Sequence, residues 1–233
     1  MTITLRRSAE RAHVSQGGGH TWTTFAPKGP DDAPQGGFGL LESLVEHDLA
    51  PGMGFQVHAH GDHEMVTYVE KGDLIHADSD DPTCRMRAGD FCHTSGRAGM
   101  IHKGLNKSGT ERAHVFQSGL ASVRHPFDTC GEQKHFPLAE RRGVLCRVAS
   151  SGGQEGSLRI HQDAGMDSSL LYRGTHLIHE FIPGRCGWLH VVSGRILFGE
   201  HRLGKGDAVA IADELAVSFT ADEPSEILLF DLP

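Results

Sequence analysis

The 233 residues include only five cysteines, none spaced as C-x-x-C, which leaves no material for a disulfide scaffold or a thiolate zinc site. Cys84, Cys92, Cys130, Cys146 and Cys186 therefore read as reduced, mostly buried thiols. Positive charge is also short: 22 Lys plus Arg against 30 Asp plus Glu give a formal charge of -8. A nucleic-acid backbone needs a basic footprint, so direct nucleic-acid binding is excluded. No apolar run approaches the roughly 18 residues that cross a bilayer. The opening MTITLRRSAE lacks the apolar stretch of a secretory signal. The expectation is a cytoplasmic protein with no membrane association. G-x-G-x-x-G, P-loop and G-x-S-x-G motifs are all missing, so nucleotide and serine-hydrolase chemistry have no support.

What is present is glycine, proline and histidine. Thirty glycines and ten prolines cut the chain into short pieces, and the pieces alternate apolar with polar residues, an all-β pattern. The clearest strands are 53–60, 64–72, 73–78, 112–120, 187–194, 195–200 and 226–232. Glu70-Lys71-Gly72-Asp73 and Val192-Ser193-Gly194-Arg195 supply turns. Both turns are followed by a second Gly-Asp step: YVEKGDLIH then MRAGDFCH, and HVVSGRILF then LGKGDAVAI. This approximate repeat predicts two copies of one barrel unit, over 1–125 and 146–233, joined by a connection at 126–145. SSGGQEGSL (150–158) reads as a loop.

Seventeen histidines are unusual, and three crowd into VHAHGDHE. Residues i and i+2 of a strand share a face, so His58 and His60 would stand side by side on one wall. A third imidazole, His102, follows a Gly-rich turn on a later strand. Three imidazoles on converging strands suit a divalent transition metal: Fe, Ni, Cu, Mn, Co or Zn. An H-x-H pair alone fits two histidines at a strand end, bonded to backbone or solvent, better than it fits a metal site.

A wider pattern bears on that choice. GMGFQVHAHGDHEMVTYVEKGDLIHADS, AGDFCHTSGRAGMIHKGLN, SLRIHQD and SEILLFDLP, in that order along nearly the whole chain, resemble the pirin family of bicupins, in particular its bacterial quercetinase-like branch. H-x-H followed by Glu64, and His102 followed by Asn106, also fit the general cupin pattern. The resemblance implies two cupin barrels (double-stranded β-helix, or jelly-roll) in one all-β chain, with one divalent metal in the N-terminal barrel. It implies His58, His60 and His102 as ligands. It further implies a dioxygenase that cleaves flavonol, quercetin-like phenolics with O2. A non-enzymatic regulator acting through a protein partner, or a metal-free degenerate cupin, are the other readings it leaves open.

The chain departs from the family at its most chemical spot. Gly104 stands where the family has a glutamate that is both ligand and base, Lys103 replaces a serine and Ala59 a proline. A positioned base is worth 10²- to 10⁴-fold. Glu64, sharing the parity of His58 and His60 if no bulge intervenes, is the substitute base or ligand. His93, in a position where the family usually carries Trp, reads first as a tolerated polar replacement, with the pocket mouth as the other reading. His76 is expected to pair with Asp78 or backbone at a strand end, and Gln117 to offer a carboxamide to the pocket. Gly119 and Gly104 together predict a roomier cavity. The C-terminal unit has no H-x-H and reads as a degenerate barrel, with Trp188 and Phe181 in its core.

Overall fold

Some strands of this chain alternate apolar and polar residues while others are buried on both faces, and that difference sets the architecture. The computed structural model describes residues 2–25, 36–60, 63–78, 81–95, 100–121 and 131–233, with backbone alone for 56–60, 63, 77–78, 81–83 and 100–102. These residues form two seven-stranded and two four-stranded sheets, almost wholly antiparallel. In the first unit a seven-stranded sheet runs Gly131–His135, Asp90–Ser95, His63–Lys71, Ala113–Ala121, Leu41–Leu49, Gly19–Phe25, Ala12–Gln16. It faces a sheet of Gly54–His60, Met100–Leu105, Asp73–Asp78 and Asp81–Arg87. Between them lies an apolar interior of Leu49, Val69, Leu74, Met86, Ala113 and Val115.

The second unit repeats this plan. Cys186–Ser193 and Ser225–Leu232 lie at the centre of its large sheet, and His176–Glu180, Ala216–Ala221, Arg195–Phe198 and His201–Gly204 form its small one. Leu189, Val191, Ile196, Phe219 and Leu229 are among the residues that fill its interior, as does Phe181. The repeat extends to single atoms. Gly72 and Gly194 both have positive φ, +79° and +74°, and an added Cβ would meet a carbonyl oxygen, of Arg112 and of Pro224 respectively, closer than contact allows. Only glycine serves at either turn. The Asp90 carboxylate accepts the Arg87 N–H at 2.9 Å and the Asp207 carboxylate the Gly204 N–H at 3.0 Å, the same three-residue loop in each copy.

The two barrels differ from the expected boundaries at both ends. Thr2–Arg6, placed by sequence in the first unit, pairs with Ala208–Ala212 at the edge of the second. Gly131–His135, placed in the connection, pairs with Asp90–Ser95 of the first. An open edge invites pairing, and each barrel has one edge covered by a strand that the repeat could not reveal. The expected loop at 150–158 is mainly a turn and a 3-10 segment, Gln154–Gly156, between the strands Cys146–Ser151 and Leu158–Ile160.

The two large sheets pack face to face. Tyr68, Phe91, Phe116 and Leu120 of the first meet Met166, Trp188, Leu228 and Phe230 of the second in one continuous cluster. Strands such as Ser225–Leu232 are therefore buried at every position. Within this seam the short helix Leu138–Arg141 places a guanidinium that is 1% exposed. Arg141 Nη1 donates to Tyr68 Oη at 2.9 Å, Glu226 Oε1 at 2.9 Å and Ser168 Oγ at 3.0 Å, and the Tyr68 hydroxyl donates to Glu226. Burial pushes the Tyr68 hydroxyl and the Glu226 carboxyl above their ordinary values. His190 also lies in the seam, its ring nitrogens without a hydrogen bond among the described residues.

Two expectations follow. Arg141→Met leaves Glu226 buried without its cation and should cost about 3–5 kcal/mol, lowering Tm by roughly 10 °C; a double variant Arg141→Met/Glu226→Leu should recover most of that in the same thermal melt. Burial, reinforced by the nearby Arg11 charge, lowers the His190 pKa to about 4. Its imidazole protonates in the unfolded chain first, so stability is lost as pH falls from about 6.5 to 4, by about 3 kcal/mol. His114, raised by Glu46 and Glu70 against its own burial, acts above that window, and Glu46, held low by His114 and Arg11 despite burial, acts below about 4.5. Urea melts of wild type and His190→Leu should converge at acid pH; curves that stay parallel from pH 7 to 4 would count against a buried neutral imidazole.

Candidate metal centre in the first barrel

In the four-stranded sheet of the first barrel, His58 and His102 are direct cross-strand partners. His60, two residues along, pairs with Met100, and on the other side of the Met100–Leu105 strand His102 pairs with Asp78. Cross-strand partners lie about 4.5–5.5 Å apart at Cβ. The backbone thus gathers positions 58, 60, 102 and 78 at one end of one sheet. The register slips between His102 and Gly104, and beyond the slip Gly104 lies opposite Phe55 on one strand and His76 on the other. Bulges of this kind locally re-aim a strand. Three imidazoles are a borderline donor set that suits a divalent transition ion and leaves positions for water or a ligand.

Gly104 has no room for the glutamate that the resemblance implies. A Cβ added there would lie 2.0 Å from Phe55 Cζ and 2.1 Å from its Cε1. The Phe55 ring stacks on His47, centroids 4.6 Å apart. His47 Nε2 donates to Gln117 Oε1 at 3.2 Å while its Nδ1 accepts from Thr21 Oγ1 at 3.1 Å. Gln117 Nε2 and Thr67 Oγ1, on register-paired residues of neighbouring strands, are buried donors with no hydrogen bond among the described residues. Gly119 gives no extra space either, since Ser43 Oγ would lie 2.3 Å from its Cβ. Among the described residues, Phe55 and Ser43 fill the space at the two glycines where a roomier cavity was expected.

Glu64 departs from its expected place. Its strand, His63–Lys71, belongs to the large sheet, whereas His58 and His60 lie on the small one. A parity count carried across residues 61–62 therefore has no meaning. Along that strand Val69 faces the barrel interior, whereas Val66 and Tyr68 face the seam. Glu64 shares their parity and is 2% exposed. The His161 and Gln162 backbone N–H groups of the second barrel donate to its two oxygens at 2.8 and 3.1 Å. The His161 ring nitrogen Nδ1 also contacts Oε1, and His93 Nε2 lies 3.3 Å from it. Burial works to raise the Glu64 pKa, but these partners outweigh it and hold the carboxyl below its usual value. It is a seam residue, not a base inside the barrel.

The remaining sequence-predicted groups divide by the same parity. His76 is buried, with its nitrogen, Cys84 Sγ and Cys92 Sγ all within 4.8 Å of one another. It is not a strand-end residue. Gln117 does reach the interior. His93 is buried in the seam and His114 at its rim, where His114 Nε2 lies 2.6 Å from Glu46 Oε1. Asn106 donates to three carbonyls, of Leu49, Ala50 and Glu111, and accepts the Ser108 N–H, so it ties loops together. His47 went unnoticed in the sequence, and Asp78 entered it only as a partner for His76. The available signal for His47 was its place two residues before inward-facing Leu49; Asp78 needed the pairing register.

With this geometry in view, the comparisons take on meaning. Residues 15–119 match the Pirin family model and residues 147–232 the quercetinase C-terminal cupin domain. The chain is 33% identical over 231 residues, 99% of each sequence, to quercetin 2,3-dioxygenase of Escherichia coli K12. The crystal structure of YhhW from E. coli superposes with a TM-score of 0.90 at 32% identity, covering 100% of this chain and 98% of that one. A second structure, of the bacterial pirin YhhW in complex with nickel(II), matches at TM-score 0.88 with 32% identity and covers 100% and 99%.

The packing at Gly104 predicts a specific coupling. Gly104→Glu alone must displace the Phe55 ring and should cost about 1–3 kcal/mol in urea melts. Phe55→Ser/Gly104→Glu should restore part of that stability relative to the sum of the single changes, as a double-mutant cycle would read. Additive costs would show that the ring and the missing side chain do not compete for one space.

Proposed function

Because the chain belongs to the pirin family, we propose that its first barrel binds one divalent transition ion through His58, His60 and His102 and cleaves flavonol-like phenolics with O2. The observation that carries this is the pairing of His58 with His102, with His60 two residues on. The nickel(II) complex of a bacterial pirin 32% identical to this chain supports the ion. The relation to E. coli quercetin 2,3-dioxygenase supports the substrate class. The bound ion supplies Lewis acidity toward a phenolic oxygen and a route for electrons to O2.

The chain's own residues do the rest. Gln117 Nε2 and Thr67 Oγ1, the unused donors of the interior, orient a hydroxyl or carbonyl of the ligand. Phe55 and His47 give an aromatic wall beside them. With Gly104 in the place of the family glutamate, the proton of the reacting hydroxyl needs another acceptor. Asp78, the direct cross-strand partner of His102, takes that role. Protein loaded with Ni, Fe, Mn, Co or Cu should consume quercetin absorbance only when O2 is present. His58→Ala should remove the first-barrel ion and the activity. Asp78→Asn should keep the ion but lower kcat by about 10²- to 10⁴-fold. No O2-dependent loss with any of these ions overturns the activity; an unchanged kcat in Asp78→Asn overturns the base.

A further inference from the structure

The seam between the barrels holds a second constellation that the first-barrel reading does not use. Glu64 and His93 come from neighbouring strands of the first barrel, His63–Lys71 and Asp90–Ser95, and His161 from the turn after Leu158–Ile160 of the second. A carboxylate oxygen and two imidazole nitrogens from these residues lie within 4.8 Å of one another. We propose that Glu64 Oε1, His93 Nε2 and His161 Nδ1 form a divalent-metal site that clasps the two barrels.

Three observations point to an ion and not to a closed hydrogen-bond cluster. First, His93 is 1% exposed, yet its Nε2 makes no hydrogen bond among the described residues. It sits 3.3 Å from Glu64 Oε1. A buried imidazole nitrogen that meets a carboxylate oxygen out of hydrogen-bond alignment gains little from it, and an ion between the two would bond to both. Second, two ligands held about 2.1 Å from one ion at roughly 90–110° stand about 3.0–3.5 Å apart, the separation of His93 Nε2 and Glu64 Oε1; His161 Nδ1, in hydrogen-bond contact with Oε1, must draw back to join them. Third, the carboxylate is already aimed. The His161 and Gln162 N–H groups fix both its oxygens, 2.8 and 3.1 Å away, and leave Oε1 between the two rings. Such outer contacts orient metal ligands.

The donor set, two imidazoles and one carboxylate, suits Zn2+, Co2+, Ni2+ or Fe2+. His93 is wholly buried, whereas the His161 side chain is 30% exposed, so ion entry and any completing waters come from the His161 side. Because the ligands span both barrels, the ion adds a crosslink to the packed seam. A Trp at position 93, as the quercetinase-like pattern has it, would supply no ligand nitrogen.

The test uses full-length protein stripped of metal and dialysed against Co2+ or Zn2+, in the wild type and in a His58→Ala/His60→Ala background that silences the first-barrel centre. The silenced protein should still retain about one ion per chain by elemental analysis, and Co2+-soaked crystals should show an anomalous peak between the three named atoms. Adding His93→Gln, or independently His161→Ala at its more exposed position, should lower retained ion at least tenfold while the circular dichroism spectrum stays unchanged. Retention of the ion in both variants, or no ion in the silenced background, overturns the seam site. Wild type that loses its ion on His93→Gln but keeps it on His58→Ala/His60→Ala would uphold the seam and sink the first-barrel reading. The reverse pattern would sink the seam site alone.

Discussion

Everything in this molecule depends on one contact, the face-to-face packing of the two seven-stranded sheets. Each small sheet closes over its own large sheet, but the large sheets have a second apolar face, and only the other barrel covers it. The consequence is a layered body of four sheets and three cores. Burial on both sides removes water from any polar group caught between them, so Arg141 must satisfy Glu226, Tyr68 and Ser168 at once. A buried ion pair of this kind adds little net stability compared with apolar residues, but either partner alone is a liability. It therefore fixes which residues may face each other across the seam.

The same packing sorts the chemistry. On the His63–Lys71 strand one parity belongs to the first barrel's interior and the other to the seam. Glu64 lies on the seam parity, and its carboxylate is held by N–H groups from the other barrel. A carboxylate that would serve as a base in one compartment thus becomes a tie in the other. The interior keeps imidazoles, Gln117, Thr67 and the Phe55 ring; the acids concentrate in the seam or at its rim, Glu46 and Glu226 among them. That segregation is why the loss of a glutamate at Gly104 matters. The described interior side chains offer no carboxylate, and among the described positions Asp78, itself paired with Asp81, is the acid that register brings beside His102.

Much of this is legible in the chain. Strand positions follow from alternation and turn glycines, and the paired Gly72 and Gly194 turns announce the duplication because both need a residue without Cβ. The three histidines are legible as a group because H-x-H and a third imidazole sit in a long ordered resemblance. What the sequence hides is nonlocal. Thr2–Arg6 gives no sign that its partner is Ala208–Ala212 at the opposite end of the chain. His93 reads as a tolerated replacement because what buries it is the sheet of the other barrel. His190, with no motif around it, gives no hint of a seam that would make its charged form unfavourable.

Gly104 shows how far a local reading can go wrong even when it identifies the right position. Replacing a large side chain by glycine suggests a hole, yet cores are close-packed and holes are filled by whatever ring can reach. Here Phe55, directly across the strand, turns into the space and stacks on His47. The replacement therefore alters the first barrel in two ways at once: it removes an acid, and it puts an aromatic wall where the acid would be. With no acid at 104, Asp78 is the carboxylate that the register brings near His102. Gaining the wall favours flat, apolar ligands over small polar ones. Both changes follow from a single missing Cβ.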